Sequence, residues 1–383
     1  MALHVAQIGF SLDPLGRRPR ELLEAWPSLV DVAEAAARAA AQVSVVQACP
    51  YAETFTAGRV AYHFVAPEPP GQGRSQSRRF AARIAAFGAD VFHVHGLGFP
   101  AEVTALAELA PATPILLQDH ADRPPRVWRR MAWRRGFRHA AGVAFCAREQ
   151  AQPFVAARLL APTTTVFEIP ESTSRFTPAE QREARRLTNL TGDPCILWVG
   201  RLDANKDPLT LLEGVSRACR ALPQLQVWCC FAAAPLLAEV SRRVHSDPEL
   251  RTRVHLLGQV PHPGIETLMR AADLYVSASH REGSGYALIE ALACGLTPVV
   301  TDIAPFRALT GRGAVGELWA SGNAAALASA LVAAAGRDRA VARAAVRAHY
   351  ATQLSFDALG RQLVSAYAQL RERAQLLPVR KAV

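Results

Sequence analysis

At 383 residues, half of them hydrophobic and 20% charged, the chain is long enough for two domains and too apolar to be disordered. Seven cysteines, odd in number and without a Cys-x-x-Cys, exclude a secreted disulfide scaffold, a zinc ribbon and a thioredoxin-type redox pair. The formal net charge of +10 rests on arginine, since Lys206 and Lys381 are the only lysines; GC-rich coding and anionic partners are the two readings of that bias.

Short β-branched runs alternate with longer Ala/Leu/Arg stretches, which predicts parallel sheets covered by helices. In the first half the strands are expected at 3–8, 43–47, 60–65, 91–94, 114–118 and 142–146. Helices are expected near 19–40, 77–88, 101–110, 125–138 and 148–160. The second half restarts with strands at 195–200, 225–231, 254–258, 273–278 and 297–301. Its helices are expected near 208–221, 235–246, 264–271 and 286–294, and a final helix near 355–377. The natural architecture is α/β, with two Rossmann-like domains facing one another across a cleft. The expected boundaries are 1–175, a linker at 176–194, a second domain at 195–354, and a helix and tail at 355–383 that pack back towards the first domain. The start, Met1 to Ile8, has no basic segment ahead of a long apolar run. No window reaches the ~18 uninterrupted apolar residues of a membrane span, so a cytoplasmic protein is expected.

The strongest local motif is HREGSGYALIEALACG, 280–295. It reads as a strand end, a Gly-Ser-Gly turn and a helix opening near Tyr286. Gly283 and Gly285 let the backbone approach a ligand, and the free amides at the helix start favour an anion or an electron-rich oxygen. Glu282 lies before the helix and Glu290 about one turn inside it. Two carboxylates around one helix start suit a ligand with two polyols, such as a nucleotide sugar; an ordinary helix start with an exposed glutamate is the plainer alternative. The second motif, GRLDANKDP at 200–208, follows a strand directly. Gly200 ends the strand, Arg201 and Lys206 flank a tight loop, and Asp207-Pro208 suits a helix cap and first turn. Two cations beside a helix start make a diphosphate clamp, against the alternative of a solvated charged loop.

With these residues in place the chain resembles the retaining, two-Rossmann (GT-B) glycosyltransferases of family four. The resemblance rests on GRLDANK, on EGSGYALIEALACG with PVV after it, on GAVGELWASGNAAALASAL at 313–331, on DVFHVHG at 90–96 and on IPESTSRFTP at 169–178. It is dense over about 165–370 and thinner before that. It implies that Arg201 and Lys206 hold the donor diphosphate and neutralise the charge that builds as it leaves. Glu290 would bind the ribose. Glu282, with the amides of Gly283, Ser284, Gly285 and Tyr286, would hold the transferred sugar, and Gly200 and Val260 would belong to the same donor site. His120 would face donor sugar and acceptor, with Gly16 and His95 on the acceptor side. The implied reaction is front-face substitution with retention, from a UDP- or GDP-sugar to a glycan, lipid-linked or small-molecule hydroxyl, without a metal or other cofactor. The absence of an Asp-x-Asp agrees with cationic side chains standing where other glycosyltransferases use a metal.

The chain departs from the family pattern at three places. Ala232-Ala233-Ala234-Pro235 replaces a Gly-x-Gly-Pro, Gly16 is alone where relatives have two glycines, and Glu171-Ser172 stands where Asn-Gly is usual after Ile-Pro. Two weaker constellations remain. His93 and His95 alternate onto one strand face, as a packed or cleft-facing pair rather than as metal ligands. The basic, aromatic segment 126–139 reads as a solvated helix with an aromatic anchor or as a peripheral contact with the inner membrane face. No nucleic-acid reader module is found. The rival readings are a sugar-nucleotide epimerase or phosphorylase on the same scaffold, and a non-catalytic binding subunit.

Overall fold

The computed structural model describes residues 2–66 and 73–376. The expected tail at 377–383, which includes Lys381, lies outside the described residues. The chain divides into two compact units: residues 1–173 with 356–383, and residues 174–355.

The first unit is built on one eight-stranded sheet. Its strands are β1 His4–Gly9, β2 Gln42–Ala48, β3 Glu53–Ala57, β4 Val60–Val65, β5 Val91–His95, β6 Ile115–Gln118, β7 Ala140–Phe145 and β8 Thr165–Glu168. They lie in the order β3-β4-β2-β1-β5-β6-β7-β8, parallel except for the antiparallel edge pair β3–β4. Alternate side chains serve the two faces. Val5, Val43, Val45, Tyr62 and Leu116 enter one core, while Ile8, Phe92, Val94, Leu117 and Phe145 enter the other. Both faces are covered, which is why these strands read as nearly unbroken apolar runs rather than as alternations.

The helix Phe356–Leu376 completes this first unit by adding Leu359, Leu363, Tyr367 and Leu370 to the core beneath β1 and β2. It packs along the helix Pro27–Arg38, where Gly360 lies so close to the Ala35 carbonyl that a Cβ would collide with it.

The second unit carries β9 Cys195–Val199, β10 Gln226–Cys230, β11 Val254–Gly258, β12 Leu274–Ser277, β13 Thr297–Thr301 and β14 Glu317–Trp319. The order is β11-β10-β9-β12-β13-β14, with every pairing parallel. This is the 3-2-1-4-5-6 order of a doubly wound nucleotide-binding sheet. Ile196, Trp198, Val227, Val276 and Val299 pack on Leu211, Leu212 and Val215 of the helix Pro208–Ala218, and on Leu327 and Leu331 of the helix Ala324–Ala335.

Several elements differ from the sequence expectation. The single helix at 19–40 is two, Pro19–Ala25 and Pro27–Arg38, because Pro27 supplies no amide for continuation. The short strands β3, β8 and β14 are not among the expected ones, as residues that are exposed or half-buried throughout β3 and β8, and a length of three in β14, give little hydrophobic contrast. So did the helices Ala304–Leu309, Ala324–Ala335 and Arg339–His349. The stretch 176–194, expected as a linker, carries the helix Gln181–Thr188, whose Gln181 and Arg185 bind the Ala271 carbonyl and Asp273. The segment 125–138 is not one continuous helix. It is a tight 3-10 turn, Val127–Arg129, leading into the helix Arg130–Phe137.

Candidate functional site

In the second unit the strand order reverses between β9 and β12, and the loops leaving their carboxyl ends border the switch point. Those loops are the two motifs of the sequence. Asp203 shapes the first: its carboxylate accepts the amides of Asn205 at 3.1 Å and Lys206 at 3.0 Å, a side-chain turn that folds the loop back. Asp207 then caps the helix Pro208–Ala218 by accepting the Thr210 amide at 3.2 Å. The second loop is tied to the first. Asn205 donates to the Arg281 carbonyl at 3.0 Å, the His280 amide donates to the Asn205 carbonyl at 2.8 Å, and the His280 ring meets Asp207 at 2.9 Å.

This lacing brings Lys206 and Glu282 together. The Lys206 ammonium donates to the Glu282 carboxylate, with 22% and 14% of the two side chains exposed. Arg201 leaves the same loop on its outer side, 65% exposed, with Nε 3.1 Å from Asp203. Gly200 sits over the Trp198 ring beside the Lys206 side chain. Gly283 and Ser284 are half-buried, and Gly285 takes φ 64° as the residue capping the helix Tyr286–Cys294. A Cβ at Gly285 would lie 2.8 Å from Leu309, so both conformation and space require glycine there.

Glu290, on the first turns of that helix, is mostly buried and meets His262 Nε2 at 2.6 Å. Burial pushes its carboxyl above the ordinary range, and His262 offsets part of that rise. Tyr275, fully buried on β12, is pushed up by burial and by the nearby carboxylates of Glu282 and Glu290. Val260 is half-buried beyond the end of β11, at the entry to the helix His262–Ala271. The Ala232–Ala234 loop packs by backbone, with the Leu202 amide donating to the Ala233 carbonyl at 2.9 Å.

In the first unit, His95 ends β5 and His120 follows β6. His120 Nδ1 lies 2.9 Å from the buried carboxylate of Glu171, and its Nε2 lies 3.1 Å from His95 Nδ1. His93 is not a ligand partner of His95. Its Nδ1 takes a 2.7 Å hydrogen bond from the Tyr367 hydroxyl, which itself accepts from Gln7 at 3.3 Å. Burial lowers His93 to about 3 and, with His93 and His120 nearby, holds His95 well below its usual value. For His120 burial alone would act the same way, but Glu171, Asp122 and Asp119 outweigh it and raise the imidazole. Asp119, buried beside Asp122, is pushed up to about 7. Gly16 has φ 60° in a turn closed by the Asp13 carbonyl, with open space where a Cβ would stand.

Sequence reasoning found the motif residues but missed Asp203, His262, Asp119 and the role of Glu171. Asp203 had a signal, a turn-forming aspartate just before two amides. His262 and Glu290 are 28 positions apart, and no local pattern links them. All seven cysteines are buried free thiols. Along 126–139 the buried anchor is Trp133 with Phe137, whereas Val127, Trp128 and Met131 stand 70%, 73% and 58% exposed among arginines. Among the described residues no helix is long and apolar enough to cross a membrane.

A family model described as Glycosyl transferases group 1 matches residues 193–336. The GDP-mannose:cellobiosyl-diphosphopolyprenol alpha-mannosyltransferase of Xanthomonas campestris is 26% identical over 227 residues, 57% of each chain. The chain spans about half the length of the curated relatives it matches. Among solved structures, a glycosyltransferase from Rickettsia africae matches with a TM-score of 0.72 at 13% identity, covering 96% of this chain and 98% of that one. Anabaena HepE in complex with UDP and glucose matches with a TM-score of 0.67 at 18% identity, covering 96% and 100%. At these identities the structural matches establish the fold, which is GT-B.

Proposed function

We propose, from the premise that the chain belongs to the glycosyl transferases group 1 family through residues 193–336 of its second unit, that it moves a sugar from a nucleotide-sugar donor to a hydroxyl acceptor with retention of configuration. The observation that carries the reading is the Lys206–Glu282 pair, set at the switch point of a doubly wound sheet beside a helix N-terminus. A cation and a carboxylate side by side suit a ligand that places a diphosphate next to a hydroxyl-rich ring. Names of similar proteins support the donor class: GDP-mannose in the Xanthomonas enzyme and UDP with glucose in the HepE complex.

Lys206 and Arg201 neutralise the departing diphosphate. Glu282 and the amides from Gly283 to Tyr286 hold the sugar hydroxyls, and Glu290 accepts from the ribose, with Gly200 and Val260 completing the donor site. His120, His95 and Gly16, on the first unit, are read as acceptor-side residues. As the bond from the anomeric carbon to the phosphate oxygen breaks, the acceptor oxygen bonds to that carbon from the same face. The acceptor's proton passes to the leaving phosphate oxygen, and the positive side chains stabilise the charge that develops. No side-chain nucleophile is needed.

The exposed Val127, Trp128 and Met131 favour a second element of the reading, a peripheral contact of the 126–139 segment with an anionic membrane that carries a lipid-linked acceptor. The donor assignment is tested by thermal unfolding with UDP-, GDP- and ADP-sugars. The true donor raises Tm in proportion to the logarithm of its concentration. A panel in which no nucleotide sugar moves Tm contradicts the assignment.

A further inference from the structure

The first unit contains a pairing that the motif pattern does not foresee. Glu171 replaces the usual asparagine after Ile-Pro, and it is buried with its carboxylate 2.9 Å from His120 Nδ1. The other ring nitrogen of His120 faces His95 Nδ1 at 3.1 Å. Both nitrogens of His120 therefore face groups able to accept a proton.

We propose that Glu171 is the positioning residue of His120, binding the Nδ1 proton so that the ring is locked in orientation and donates from both nitrogens. In that state Nδ1–H donates to Glu171 and Nε2–H donates to His95. His95, accepting at Nδ1, then carries its own proton on Nε2. The groups facing His120 are Glu171 from the loop after β8, Asp119 and Asp122 from its own loop, and His95 from β5, with His93 and Tyr367 beyond. Three carboxyls around one half-buried imidazole favour its cationic form, in line with the upward shift described above. An imidazolium with both protons committed is a fixed positive group and not a base. This deepens the proposed function and rests on it: the acceptor's proton goes to the leaving phosphate, and His120 supplies charge and orientation. An asparagine at 171 offers no charge for this purpose, so the glutamate sets the protonation of His120 in this chain.

The experiment follows the His120 imidazole by NMR with histidine labelled at Cε1, its signal assigned by its loss in His120→Asn. In the wild type His120 titrates above the ordinary ~6.5, and in Glu171→Gln the midpoint falls by about one unit or more. Glu171→Asp, which keeps the charge on a shorter arm, titrates between the two and serves alone if the glutamine variant does not fold. In the transfer assay kcat falls as pH rises through the His120 midpoint. Glu171→Gln moves that fall to lower pH and leaves the donor KM within about two-fold. A His120 midpoint equal to wild type in either variant overturns the proposal. A protein that transfers no sugar but shows the midpoint shift retains the pairing and loses only the functional reading.

Discussion

Lys206 and Arg201 leave one loop into different surroundings: the first is enclosed against Glu282, the second is exposed on Asp203. Both are expected to act on charge that appears only as the donor bond breaks, so their removal should fall on kcat rather than KM. Replacing either with alanine is predicted to lower kcat by about 10²–10³, the range seen when one preorganised transition-state contact is lost. Steady-state kinetics at saturating donor measures it, and turnover within a few-fold of wild type in both variants contradicts the roles. The loops and the helix start that carry Arg201, Lys206, Glu282 and Glu290 were legible in the sequence, because glycines, strand ends and helix caps mark them locally. Their neighbours were not. His262 reaches Glu290, and Glu171 reaches His120, across folded distances that no spacing rule encodes.

At the scale of elements, the segment 126–139 shows how composition and conformation part. Its arginines and tryptophans were evident, but which tryptophan anchors and which is exposed depended on the tight turn at Val127–Arg129. That turn leaves Trp128 outside, under the Arg126 guanidinium at 5.4 Å, and sends Trp133 inward. Arg134 is partly structural, since it donates to the Ala157 and Arg158 carbonyls at 3.2 and 3.1 Å. Exchanging Arg129, Arg130, Arg134 and Arg135 for glutamine keeps donors but removes charge. Near an anionic surface each arginine contributes about 1 kcal/mol, so the variant is expected to lose flotation with phosphatidylglycerol vesicles. Flotation equal to wild type would end the membrane reading. The helices at Ala324–Ala335 and Gln181–Thr188 escaped notice for different reasons. The first is apolar almost all round and shows no one-sided stripe, while the second is one-sided but only eight residues long, with Ala184 its one buried residue, too short for a repeating apolar pattern.

At the scale of the molecule, the last helix belongs to the first unit although 182 residues of the second unit, 174–355, intervene in sequence. Leu363 is fully buried in the core shared with β1 and β2, and Tyr367 supplies the hydroxyl that meets His93 Nδ1. Leu363→Ala is predicted to cost the first unit about 2–5 kcal/mol, as for other fully buried leucines. Hydrogen exchange should then report weakened protection in residues 2–66 and 77–173, with the second unit's strands unchanged. Equal loss in both units would show that the helix stabilises them together.

The sequence alone determined the α/β class, the restart of the β/α pattern near residue 195 and the two glycine-bearing motifs, because hydrophobic period, strand-end glycines and helix caps act within a few residues of chain. Only the tertiary structure decided strand order, and with it the adjacency of β9 and β12 that carries Lys206 to Glu282. It also decided which buried carboxylate meets which histidine. Such pairings are selected by the packing of distant strands and by the cost of burying an unpaired charge, and that cost exists only once the fold has closed around it.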